Sequence, residues 1–138
     1  MNAIRILIAD DHKDFRKVVC DFLSRLPNII VVGEADDGVD VIDKMEACDP
    51  DVILMDITMP RRNGLEATRI IKSRWPAKKV VIATMHDSEH YRSQAEEALA
   101  DGFIVKSSIR SGLLATFGRG VFSPIFHVGV SLYLRCEP

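Results

Sequence analysis

Five short apolar runs, each followed by a stretch with helical periodicity, constrain this chain more than any other feature. They are Ile4-Arg5-Ile6-Leu7-Ile8-Ala9, Ile29-Ile30-Val31-Val32, Val52-Ile53-Leu54-Met55, Val80-Val81-Ile82-Ala83 and Phe103-Ile104-Val105. Runs this short and this uniformly apolar suit strands covered on both faces. Between them, Phe15, Val18, Val19, Phe22, Leu23 and Leu26 recur at helical offsets and are closed by Pro27. A second helix is predicted from 39 to 48 and a third from 65 to 75, the latter ended by Pro76. Ser88 is placed to cap a fourth, with Tyr91, Ala95, Ala98 and Leu99 on its inner face and Gly102 as its stop. A fifth is predicted from Ile109 to about Phe117. Five β-α units predict an α/β domain with a parallel sheet, helices on both faces and right-handed crossovers.

A chain of 138 residues fits one such domain, and 47% hydrophobic with 28% charged residues suits a globular core with a solvated surface. The net charge of −2 supplies no general attraction to nucleic acid or anionic membrane. Cys20, Cys48 and Cys136 fit neither a disulfide framework nor a zinc site, and the first two are expected to be small buried hydrophobes. No apolar run approaches the ~18 residues of a membrane span. The amino terminus enters a strand with no secretory pattern before it, so the expected location is cytoplasmic.

Four of the runs end on residues suited to phosphoryl chemistry: Asp10-Asp11, Asp56, Thr84 and Lys106. In a parallel sheet these ends share one rim, and ligands bind there where the strand order reverses. Three carboxylates so close repel one another, and a divalent cation relieves the repulsion. Hard oxygen ligands open to water suit Mg²⁺. Asp56 could then serve as the nucleophile of an acyl phosphate, with Lys106 neutralising phosphoryl charge and the Thr84 hydroxyl donating to a phosphoryl oxygen. Taken singly each residue has a plainer reading: Asp10 or Asp11 as a helix cap, Thr84 as a β-branched strand residue, Lys106 as a solvated charge. His12 and His86 lie near the rim without zinc spacing and read as loop residues, His86 with a role in water access; Met55 and Met59 read as packing residues.

The segments Ile8-Ala9-Asp10-Asp11-His12, Leu54-Met55-Asp56-Ile57-Thr58-Met59-Pro60 with Asn63-Gly64, then Thr84, then Phe103-Ile104-Val105-Lys106 resemble the response-regulator receiver domains of bacterial two-component signalling, over residues 3 to about 118. The wording around Asp56 is similar to the branch whose full-length members carry a LuxR-type DNA-binding domain. The resemblance implies a flavodoxin-like (βα)5 doubly wound sheet of strand order 2-1-3-4-5. It implies that Asp56 takes a phosphoryl group from a sensor histidine kinase, with Mg²⁺ held by Asp11, Asp56 and the backbone carbonyl of Thr58, and by Asp10 through water. Thr84 and Lys106 would contact the phosphoryl group. Phe103 is either a packed strand residue or the aromatic that turns inward when Thr84 moves. The output surface would be the fourth helix, fifth strand and fifth helix, controlling a partner or a homodimer, and the first helix, with Lys13, Arg16 and Lys17 outward, would dock the kinase. The alternative function is a Mg²⁺-dependent aspartyl phosphatase or phosphotransferase acting on small phosphorylated substrates.

Two departures from the family accompany the resemblance. Ser107 stands where many receivers have proline, so the bond after Lys106 is expected to be trans. After Gly118-Arg119-Gly120 the chain carries an atypical apolar tail in place of a DNA-binding domain, which divides it into a receiver (1–118) and a tail (119–138) and suggests a truncated or stand-alone relative of a transcriptional regulator. In that tail Phe126, Val128, Val130, Leu132 and Leu134 alternate as in a half-buried strand, expected to pack on the sheet edge or another chain. The basic residues Arg61, Arg62, Arg69, Lys72, Arg74, Lys78 and Lys79 lack a recognition-helix motif and read as solvated surface, so no direct nucleic-acid binding is expected.

Overall fold

A computed structural model describes residues 3–86 and 88–125. The elements run β1 (Ile4–Ala9), α1 (Lys13–Ser24), β2 (Ile29–Ala35), α2 (Gly38–Cys48), β3 (Val52–Met55), α3 (Gly64–Arg74), β4 (Lys79–Thr84), α4 (Glu89–Glu97), β5 (Gly102–Val105) and α5 (Ile109–Phe117). The strands pair in parallel in the order β2-β1-β3-β4-β5, the flavodoxin-like order that the resemblance implied. The runs in β1, β3, β4 and β5 are covered on both faces, whereas β2, at the sheet edge, leaves Ile30 half-exposed. Ile6, Ile8, Leu54, Val81 and Ile104 pack with Val19 and Leu23 of α1 and Leu113 and Phe117 of α5. Leu7, Ile53, Val80, Ile82 and Phe103 pack on the other face with Val41, Met45, Ala67, Ile71 and Ala95 of α2, α3 and α4.

Short polar residues start three helices. Asp37 accepts from the Val39 and Asp40 amides, Asn63 from Glu66, and Ser88, as anticipated, from Tyr91. Neither Asp10 nor Asp11 caps α1, whose N-cap position is His12; both carboxylates are left for the rim. The bond after Lys106 is trans. Among the described residues no helix is long and apolar enough to cross a membrane.

Several local expectations are corrected. Leu99 is 66% exposed, because α4 ends at Glu97 and Leu99 turns the chain with φ +68°. Gly102 therefore does not stop the helix; it opens β5, where the Ile125 carbonyl oxygen would lie 3.1 Å from an added Cβ. Val18, placed by periodicity in the buried stripe of α1, is half-exposed, since the stripe narrows to Val19 and Leu23. Cys20 and Cys48 are half-buried rather than enclosed. Lys72 of the basic region is no free surface charge: its ammonium bonds Asp101 at 3.0 Å and the Lys78 carbonyl at 2.9 Å.

The chain after α5 is tied back to the domain. Phe122 packs on Phe117 with ring centroids 5.8 Å apart, the Ser123 amide donates to the Thr116 carbonyl, and the Phe103 amide on β5 donates to the Ile125 carbonyl at 2.7 Å. The alternating stretch from Phe126 onward, expected as a strand, lies outside the described residues.

Gly112 explains an otherwise unfavourable residue inside α5. A Cβ there would meet Ile104 Cγ2 at 2.5 Å, and Ile104 is a wholly buried β-branched strand residue with little room to yield. Overpacking of this kind costs about 1–3 kcal/mol against the ~1 kcal/mol that alanine gains over glycine in a helix. Gly112→Ala is expected to lower the melting temperature in calorimetry despite its better helix propensity; a rise would show that the contact relaxes.

Candidate functional site

The register of the sheet builds the site before any side chain is considered. Ala9 lies opposite Met55, so the next residues, Asp10 and Asp56, leave the sheet side by side. Their backbones continue the ladder: the Asp56 amide donates to the Ala9 carbonyl at 2.9 Å and the Asp10 amide to the Ala35 carbonyl at 3.0 Å. Thr84 lies opposite Val105, which puts Lys106 one step beyond it. Because β1 is flanked by β2 on one side and β3 on the other, the order reverses between β1 and β3, where the acidic residues stand.

The carboxylates are enclosed rather than solvated. Asp10 is 1% and Asp56 5% exposed. Asp10 Oδ1 accepts from the His12 amide at 2.8 Å, and Asp10 Oδ2 accepts from Lys106 Nζ at 2.5 Å. The same ammonium is 3.4 Å from Asp56 Oδ1, and its side chain is 6% exposed. Asp11 sits nearer the mouth, where His12 Nδ1 lies 3.1 Å from its Oδ1 and 3.2 Å from Asp10 Oδ1. Arg16 Nη1 donates to the Asp10 carbonyl and Nε to Glu34, so Arg16 braces the rim instead of facing outward with Lys13 and Lys17 as expected. Thr84 is buried, and its Oγ1 accepts from the His86 amide at 3.1 Å. Asp11, Asp56, Thr58, Thr84, His86 and Lys106 all line one cleft of about 350 Å³.

The loop after β3 is held tightly. The Gly64 amide donates to the Ile57 carbonyl at 2.7 Å, and a Cβ at Gly64 would fall 1.8 Å from the Asp56 carbonyl oxygen, so only glycine lets α3 start this close. Arg61, with φ +65°, grips Asp37 through Nε at 2.8 Å and Nη2 at 3.0 Å and ties this loop to the start of α2. That guanidinium holds the Asp37 carboxyl below its usual range. Phe103, wholly buried, has its side chain in the core under α3 and α4, inside the sheet rather than at the surface.

Oxygen and nitrogen ligand atoms of Asp10, Asp11, His12 and Asp56 lie within 4.8 Å of one another. Three hard oxygen donors with an open mouth fit a Mg²⁺-type ion. Burial, followed by the charge of Asp10, pushes the Asp56 carboxyl up to about 6, while Lys106 pulls the other way.

Each sequence-predicted site residue except Phe103, which lies in the core, is therefore brought to this rim. Two residues were assigned elsewhere: Arg16, read as a surface charge, and Phe15, read as core, whose ring lies under the Lys106 ammonium at 4.4 Å. The signal for both is their place in the first turn of α1, directly above the end of β1.

Residues 6–117 match the response regulator receiver domain family, and the chain belongs to that family. It is 40% identical over 113 residues to the transcriptional regulatory protein DegU of Brevibacillus brevis, an alignment covering 82% of this chain and 48% of that protein. A LuxR-family two-component response regulator from Aurantimonas sp. SI85-9A1 superposes with TM-score 0.79 at 34% identity, covering 84% of this chain and 83% of that one. The signal receiver domain of NarL from Mycobacterium tuberculosis superposes with TM-score 0.76 at 34% identity, covering 80% and 90%. The chain is thus a receiver module of two-component signal transduction, with relatives among LuxR- and NarL-type regulators, and it spans about half the length of DegU.

The raised Asp56 carboxyl has a consequence for stability. Its folded pKa of about 6 exceeds the unfolded 3.8, so between these values the folded state binds more protons and stability falls as pH rises. Above pH 6 the ionised group costs on the order of 3 kcal/mol. Asp56→Asn is expected to be more stable than the parent at pH 7.5 without divalent ions, by about 1–3 kcal/mol, with the gain vanishing near pH 4. Denaturant melts across this range test it, and a gain independent of pH would refute the assignment to Asp56 ionisation.

Proposed function

We propose that this chain is a phosphorylation-controlled switch: Asp56 accepts a phosphoryl group from the phosphohistidine of a sensor histidine kinase, with Mg²⁺ bound at the acidic rim. The observation that carries this is a carboxylate kept 3.4 Å from a buried ammonium and opening, with Asp11 and Thr84, into one cleft. Asp11, Asp56 and the Thr58 carbonyl would hold the ion, with Asp10 acting through water. An Asp56 oxygen attacks phosphorus, the phosphorus–nitrogen bond of the donor breaks, and the histidine keeps the electron pair. When bound there, Mg²⁺ would supply charge neutralisation at the phosphoryl oxygens. Lys106 faces the transferred group from the opposite side and the Thr84 hydroxyl, by turning from the His86 amide, donates to it.

The buried state of Phe103 suits the inward position of a switch aromatic, next to α4 and at the edge strand, so α4, β5 and α5 form the output surface. A partner or a second copy of the chain reads that surface, as befits a cytoplasmic regulator. The basic residues Arg61, Lys72 and Lys78 are engaged in ion pairs with Asp37, Asp101 and Asp49.

Incubation with acetyl phosphate and Mg²⁺, followed by intact mass, tests the reading. One phosphoryl group per chain is expected, removed by chelation of Mg²⁺ before the donor is added and absent in Asp56→Ala. Lys106→Ala is expected to slow labelling by about a hundredfold, the scale of a lost transition-state donor. Failure of any label to form would refute the switch, and rapid multiple turnover on small phosphate esters would support the phosphatase reading instead.

A further inference from the structure

The geometry points to Phe15 as a positioning residue for the Lys106 ammonium, acting through the face of its ring. The inference rests on the phosphoacceptor reading above and deepens it. Lys106 follows β5 at the far side of the cleft, and its Nζ has two carboxylate neighbours, Asp10 Oδ2 at 2.5 Å and Asp56 Oδ1 at 3.4 Å. Its third neighbour is apolar: the Phe15 ring, 4.4 Å from Nζ to the centroid. An ammonium on a four-carbon stem has no fixed hydrogen-bonding fork, so carboxylates alone fix its charge balance but not its direction. It rests on Asp10, the nearer one, and those two carboxylates leave its approach from the α1 side to a third partner.

The ring supplies that third partner. Its face carries the negative side of the aromatic quadrupole and attracts a cation, more strongly where water is excluded, as it is around this side chain. Phe15 is itself fixed by packing on the cluster beneath α1 and α5. The ammonium is thereby supported from the α1 side while facing the cleft. When the phosphoryl group arrives on Asp56, Nζ must exchange a carboxylate oxygen for a phosphoryl oxygen. The ring face stays in contact throughout, because attraction to a π face tolerates small changes of direction that a hydrogen bond does not. Phe15 reaches the reacting atoms only through Lys106.

The plainer reading, Phe15 as core filling for α1, makes a different prediction. Fluorination drains the ring face of negative potential while nearly keeping its shape. The test is a series in the full chain in which Phe15 carries one, two and five ring fluorines, with Phe15→Tyr and Phe15→Leu beside it. Three quantities are measured: the rate of labelling by acetyl phosphate at saturating Mg²⁺, the ¹⁵N resonance of Lys106 Nζ, and the melting temperature. The labelling rate is expected to fall stepwise with fluorine content, about three- to tenfold in all. The Nζ resonance should move in the same order, Tyr should keep the parent values, and Leu should resemble the pentafluoro ring. A rate and resonance flat across the series, or changes that follow only the melting temperature, would overturn the proposal. Should the parent chain itself take no label, the phosphoacceptor reading fails, and the Nζ resonance series alone decides whether the ring orients the ammonium.

Discussion

The ammonium of Lys106, set against Asp10 and Asp56, is the interaction on which the rest of this rim depends. Parallel pairing of β1 with β3 in the register Ala9 opposite Met55 brings two carboxylates out of the sheet together, and Asp11 adds a third. Without a cation among them the ends of these strands would repel one another. Lys106 arrives from the opposite side because β4 and β5 are in register at Thr84 and Val105. The fold is therefore not a neutral scaffold carrying an added site; the order of its strands and the chemistry of its rim are one arrangement.

That arrangement leaves a residual imbalance. One buried ammonium faces two buried carboxylates; burial first, and the charge of Asp10 second, push the Asp56 carboxyl up to about 6 at the edge of the solvent cleft. A group held in this way carries a proton more readily than a surface aspartate and gains most from any cation that enters. Such a perturbed group is in keeping with the tendency of functional sites to hold them.

Much of this was legible in the sequence, for a physical reason. Strands buried on both faces must be apolar throughout, so β1, β3, β4 and β5 stand out, and the residues ending them are conspicuous by contrast. What periodicity could not convey was local. Leu99 sits at a helical offset but lies beyond the end of α4, where the chain turns with positive φ. Gly102 looks like a stop signal, yet its missing side chain serves the approach of Ile125 to β5. Arg16 has the spacing of an exposed cation, but a side chain in the first turn of α1 reaches back over the strand end to the Asp10 carbonyl. Phe15 fits the apolar stripe equally well as core and as support for Lys106, because an aromatic ring offers an edge to its neighbours and a face to a cation.

The hydrogen bond from the Phe103 amide to the Ile125 carbonyl connects two parts of the molecule that sequence keeps far apart. The residue that bears the core aromatic of β5 is also the anchor for the backbone leaving the domain. Any sliding or tilting of β5 would consequently pull on that exit directly, so the backbone leaving α5 is coupled to the edge strand of the sheet.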